Sequence, residues 1–130
     1  EAAPNDPKAA KDLIKEYQKT FKKNEEAMVA LGNVYLLQHN YDQASAIAQS
    51  VIDNKKFNGA LAYILRGDIA ALKDSVGNAG AAAAEYQTAI SLDPQNVTAY
   101  ERYAKVYRHV NAKVAVAKLE ELRKIARLSC

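Results

Sequence analysis

Three stretches of the chain repeat one local pattern at nearly constant spacing: Leu31-Gly32-Asn33-Val34-Tyr35, Arg66-Gly67-Asp68-Ile69-Ala70 and Tyr103-Ala104-Lys105-Val106-Tyr107. Gly32 precedes Gly67 by 35 residues, and Gly67 precedes Ala104 by 37. A period near ~34 residues is that of a helix-turn-helix unit which cannot bury its apolar face alone and must stack on its neighbours. The excess length falls at Gly77-Asn78-Ala79-Gly80, where a longer turn is tolerated. Strands do not compete. No stretch alternates with period two, and the run Gly80 to Ala84 favours helix. The expected fold class is therefore all-α: antiparallel helix-turn-helix repeats stacked as a solenoid of about seven helices.

Cap and turn signals divide the chain. Asp6-Pro7 reads as an N-cap followed by a first-turn proline, so residues 1–6 are expected to be a disordered lead and 7–23 a helix. Within that helix Ala10, Leu13, Ile14, Tyr17 and Phe21 recur at three- and four-residue steps, which predicts a buried face. Lys8, Lys11, Lys15, Lys19 and Lys22 form the opposite, solvated face of a terminal capping helix. Asn24-Glu25-Glu26 supplies the next cap, with acids in the first turn where the helix dipole favours them. Met28, Leu31, Val34, Tyr35 and Leu37 follow, His39-Asn40 interrupts, and Ala44, Ile47, Ala48, Val51 and Ile52 resume the period. This is a helical hairpin. The chain thus divides into a cap at 7–23 and repeats at 25–58, 59–96 and 97–128, all within one domain over 1–130.

Composition excludes most chemistry. With 49% hydrophobic and 25% charged residues in 130, the chain suits one soluble core. Its charge of +3 comes from 18 basic against 15 acidic residues, too dispersed to predict a nucleic-acid partner. No apolar run approaches the ~18 residues of a membrane span. Cys130 is the single cysteine, His39 and His109 are the only histidines, and no glycine-rich phosphate loop occurs, so no catalytic, metal or cofactor site is expected. His39 falls in a turn, which predicts a strained or left-handed backbone. Glu120-Glu121 lie among Lys118, Arg123 and Lys124, the pattern of a solvated helix face with weak ion pairs. The polar, proline-containing lead Glu1 to Pro7 suits a segment that follows a removed leader or a cut boundary, and an exported bacterial chain is the expectation.

From about residue 25 to 128 the chain resembles the tetratricopeptide repeat family. The second unit carries most of the pattern: Tyr63, Arg66 and Gly67 in its first helix, then Ala82, Tyr86, Ala89, Ile90, Leu92, Asp93, Pro94 and Asn96. The first unit matches through Leu31-Gly32-Asn33, Tyr35, Gln38, Tyr41-Asp42 and Ala44, and departs at Ala48 and Lys56. The third offers Tyr100, Tyr103, Ala104 and Tyr107, then Ala115, Leu119 and Leu122. Small residues at 32, 67 and 104 allow close helix approach, and tyrosines fill the gaps beside them.

The resemblance implies a right-handed superhelix and a non-enzymatic module that binds a peptide segment or partner helix in a concave groove lined by the first helix of each unit. The implied groove positions are Val29, Ala30, Asn33, Leu36 and Leu37, then Leu61, Ile64, Leu65, Asp68 and Leu72, then Thr98, Glu101, Arg102, Lys105, Arg108 and His109. Ten of them, Asn33, Leu36, Leu37, Leu61, Leu65, Asp68, Leu72, Arg102, Lys105 and Arg108, are the expected partner contacts. The groove reads as apolar at one end and basic at the other. So large an apolar patch is expected to be covered, by a partner protein or peptide, a second copy in a homo-oligomer, or the lead helix. Alternatively the chain is a self-associating structural piece, or an interaction fragment of a larger envelope protein or enzyme. The chaperone-binding clamp of the family is matched only by Asn33 and Arg102, with Val29, Leu65 and Thr98 at its other positions, so that tail is not the expected ligand.

Overall fold

The computed structural model describes residues 7–21 and 23–129. The lead 1–6 with its Asp6 cap, Lys22 of the lysine face and Cys130 lie outside the described residues. Seven helices follow in order: α1 (Pro7–Phe21), α2 (Glu25–Leu37), α3 (Tyr41–Asp53), α4 (Ala60–Lys73), α5 (Ala79–Leu92), α6 (Val97–Tyr107) and α7 (Ala112–Ser129). No strand occurs among the described residues. Helices α2/α3, α4/α5 and α6/α7 pack as hairpins, and α3 on α4 and α5 on α6 join them into a solenoid.

Asparagines begin several helices because a side-chain oxygen meets an amide that has no intrahelical partner. Asn24 accepts from the Ala27 amide at 3.0 Å, Asn40 from Gln43 at 3.3 Å and Asn96 from Ala99 at 3.2 Å. Helix α4 is started differently. Its cap residue is Gly59, at φ 87°, which has no side chain to offer. The Glu25 carboxylate of α2 accepts from the amides of Asn58 at 3.1 Å and Gly59 at 2.9 Å. Asn58 in turn donates to the Leu92 carbonyl at 3.0 Å, so one polar chain ties the starts of α2 and α4 to the end of α5.

The lengthened turn after α4 is built on Asp74, whose Oδ1 accepts from the amides of Val76 and Gly77 at 3.2 and 2.8 Å. His39 does adopt the left-handed conformation, at φ 59°, and its Nδ1 lies 3.1 Å from the Tyr41 hydroxyl. A side chain there costs on the order of 1 kcal/mol relative to glycine. His39→Gly is therefore expected to raise the unfolding free energy by about 0.5–1 kcal/mol, read as a higher urea midpoint; a lower one would show that the contact with Tyr41 outweighs the backbone.

The core has two connected parts. One gathers Met28, Leu31, Ile47, Val51, Leu65 and Ile69 from α2, α3 and α4. The other gathers Ile64, Ala82, Tyr86, Ile90, Tyr100 and Tyr103 from α4, α5 and α6. Helix α4 serves both, because its two sides face α2/α3 and α5/α6. Apolar positions of the sequence pattern are not all buried. Leu13 is 73% exposed and Phe21 40%, since α1 meets only α2 and seats just Ile14 and Tyr17 on the core. The Tyr17 hydroxyl anchors it by donating to the Ala27 carbonyl at 2.6 Å. Val34 and Leu119 are about half exposed, at edges of α2 and α7 that no described element covers. Lys8, Lys11, Lys15 and Lys19 are exposed. Arg123 pairs with Glu120 at 4.0 Å on the solvated face of α7, whereas Lys118, which pairs with Glu121 at 3.6 Å, is not solvated as expected: its side chain is 16% exposed and its ammonium lies over the Tyr103 ring.

Candidate functional site

Helices α2, α4 and α6 lie side by side, and a groove of about 880 Å³ runs across them. All ten expected contact residues line it. Helix α2 contributes Asn33, Leu36 and Leu37, helix α4 contributes Leu61, Leu65, Asp68 and Leu72, and α6 contributes Arg102 and Lys105, with Arg108 just beyond its end. Val29, Ile64, Thr98 and His109 line it as well. Ala30 and Glu101 do not. Each is one residue from a lining neighbour, Val29 or Arg102, and is turned away by the ~100° per residue implied by a 3.6-residue turn. None of the described residues of α1 lines the groove, so the lead helix is not its cover.

Two leucines stand out on the apolar side. Leu37 is 81% exposed and Leu72 54%, and they occupy the same place in consecutive repeats, 35 residues apart. Isolated exposed leucines are ordinary, but a pair in register along one groove makes a continuous apolar surface.

The polar floor differs from the sequence expectation. Arg102 belongs to the end of the groove that reads as basic, yet its Nη1 donates to Oδ2 of Asp68 across the repeat boundary. The other Asp68 oxygen, Oδ1, accepts from the Tyr86 hydroxyl of α5 at 2.5 Å. Tyr86 reaches the groove because Gly67 has no side chain to block its ring. Asp68 and Arg102 are 34 residues apart, almost one repeat, and that near-period between opposite charges was the available signal for the pair. Ala71, Ser75, Tyr86, Asn96 and Val106 also line the groove and are not among the expected groove positions. Lys105 and Arg108 remain exposed and have no ion-pair partner among the described residues, so the groove keeps two uncompensated positive charges.

Burial pushes the Tyr86 phenol well above its usual value near 10, and the Asp68 charge and hydrogen bond push the same way, with Arg102 opposing. A folded-state value above the unfolded one means that the unfolded chain loses this proton first. The stabilisation is thus present below about pH 10 and is lost as pH rises further. Alkaline unfolding followed by circular dichroism should show stability falling above pH 10, and more gently in Tyr86→Phe; equal slopes would mean that other tyrosines control the transition.

A second depression, of about 800 Å³, lies where α2, α4 and α6 begin and includes Asn24, Glu25, Phe57, Asn58, Asp93 and Asn96. Its Glu25, Asn58 and Asn96 are already engaged as helix caps. Among the described residues no group of three or more His, Cys, Asp or Glu is placed to hold a metal ion, and no helix is long and apolar enough to cross a membrane.

Residues 2–69 match the family model described as tetratricopeptide repeat. The matched segment takes in the whole of α1 and stops within α4. No curated protein matches the chain.

Proposed function

Because the chain belongs to the tetratricopeptide repeat family, whose members are typically non-enzymatic scaffolds for protein-protein interaction, we propose that it binds a peptide segment of a protein partner in the groove across α2, α4 and α6. The observation that carries this is the pair Leu37 and Leu72, exposed in register along a groove whose other wall holds Lys105 and Arg108. Apolar side chains left bare at equivalent positions of two repeats offer burial to a ligand, at roughly 25 cal/mol per Å² of apolar surface covered. The rigid helices around them lower the cost of ordering a bound chain, since the receptor side is already formed. We assign no catalytic role to any residue.

The test is to select displayed random peptides on the immobilised chain and to titrate an enriched peptide into the isotopically labelled protein. Amide shifts should concentrate at Asn33, Leu37, Asp68, Leu72 and Lys105. Leu37→Ser with Leu72→Ser should weaken binding about tenfold or more, the loss expected when two apolar anchors are left without partners, with little change in thermal stability because both side chains are largely solvated. Shifts confined to α3 and α5 would place the contact on the convex side and sink this reading.

A further inference from the structure

The groove is not uniform, and its asymmetry specifies an occupant. Resting on the reading of the groove as a peptide site, we propose that its ligand is an extended acidic segment, with large apolar side chains over α2 and α4 and carboxylates over α6. Charge complementarity fixes the sign. Of the four formal charges that line the groove, Asp68 and Arg102 neutralise each other, which leaves Lys105 and Arg108 to face a ligand. Lys105 in the last turn of α6 and Arg108, the residue that caps its end, are three residues apart and both line the groove, so they present their charge together. Arg102 is oriented by Asp68, itself held by Tyr86. With about 42% of its side chain exposed and five N–H donors on a guanidinium, Arg102 retains hydrogen-bonding capacity toward a carboxylate while contributing little net charge.

The span of the groove fixes the spacing. Packed helix axes stand ~8–10 Å apart, so crossing from α2 to α6 covers roughly 20 Å. An extended chain advances ~3.3 Å per residue, which gives about three residues for each helix crossed. The ligand pattern is therefore an anchor over Leu37, a second about three residues on over Leu72, and carboxylates about three residues beyond that, facing Lys105 and Arg108.

The experiment is peptide selection from a random twelve-residue display library on three forms of the full chain: the parent, Lys105→Glu with Arg108→Glu, and Lys105→Gln with Arg108→Gln. Parent pools should be enriched in peptides with two apolar anchors and an acidic cluster about six residues from the first. The reversed form should keep the anchors and exchange acids for Lys and Arg at the same spacing. The neutral form should keep the anchors and lose the charge preference, which preserves the test if the reversed form folds poorly. An individual acidic peptide should bind the reversed form about tenfold more weakly, and the loss should shrink as salt is raised. Anchored peptides without an acidic excess on the parent, or pools of unchanged charge on both variants, would overturn the inference while leaving the groove reading intact. Failure of the parent to enrich any peptide, or enrichment indifferent to Leu37→Ser with Leu72→Ser, would overturn both.

Discussion

Replacing Tyr86 with alanine is expected to lower the free energy of unfolding by about 3–5 kcal/mol, the range for truncating a buried aromatic side chain. Tyr86 is 1% exposed and is the largest of the fully buried side chains. Its ring packs against Gly67, so truncation leaves a cavity at the contact between α4 and α5. Its hydroxyl is a donor to Asp68, and losing it leaves that carboxylate to Arg102 alone. The two contributions separate in Tyr86→Phe, which keeps the ring and removes one hydrogen bond to a charged acceptor, at a cost of about 1.5–3 kcal/mol. Urea denaturation of parent, Tyr86→Phe and Tyr86→Ala provides the comparison. Since a domain of this size is stable by only about 5–15 kcal/mol, the alanine variant should unfold at a much lower midpoint. If it unfolds no more readily than the phenylalanine variant, the ring does not carry the contact between α4 and α5. The groove floor should respond too, because Asp68 then loses one of the two groups that position it.

The helices and their faces were legible in the sequence because both follow from local signals. Asn24 is a short polar side chain that supplies an acceptor to an amide without an intrahelical partner, and the three- and four-residue recurrence of apolar groups marks the side that packs. The repeat spacing then places equivalent residues of α2, α4 and α6 side by side, and for that reason all ten expected contacts meet in one groove. Periodicity does not say which polar groups join across a repeat boundary. Arg102 lies on the expected face, yet Asp68 from the preceding repeat takes its charge. Charge reversal at Arg102 would therefore set a carboxylate beside Asp68 and disturb the fold, whereas Lys105 and Arg108 are the clean probes. The exposure of Leu13 has a similar origin: an amphipathic pattern predicts a buried stripe, but its width depends on how many neighbours a helix has, and α1 has only α2. The cap of α4 was hidden for a third reason. Glu25 resembles an ordinary first-turn acid of its own helix, and its bonds to Asn58 and Gly59 span 33 and 34 residues.

Gly67→Val is expected to destabilise the fold by about 1–3 kcal/mol through overpacking, although glycine is the poorer helix former. Intrinsic propensity favours replacement: glycine in a helix interior is worse than alanine by about 1 kcal/mol. The surroundings decide otherwise. A Cβ at Gly67 would lie 2.7 Å from Cδ1 and 2.8 Å from Cζ of Tyr86, with Cε1 closer still. An aromatic ring moves as a unit, and this one is buried on every side and tethered through its hydroxyl to Asp68. Relief therefore requires α4 and α5 to separate. Gly32 makes the useful contrast. A Cβ there would meet the Cδ2 methyl of Leu65, the end of a side chain with two rotatable bonds, and Ile47 Cγ2 at 3.3 Å. A rotamer change at Leu65 relieves much of that overlap, so Gly32→Ala should cost less than Gly67→Ala in urea midpoints. Combining Gly67→Ala with Tyr86→Leu should then cost less than the two single changes added together, because the smaller side chain opens the space that the new methyl needs. Equal midpoints for the two alanine variants, or simple additivity in the double variant, would show that the Tyr86 ring does not demand glycine at position 67.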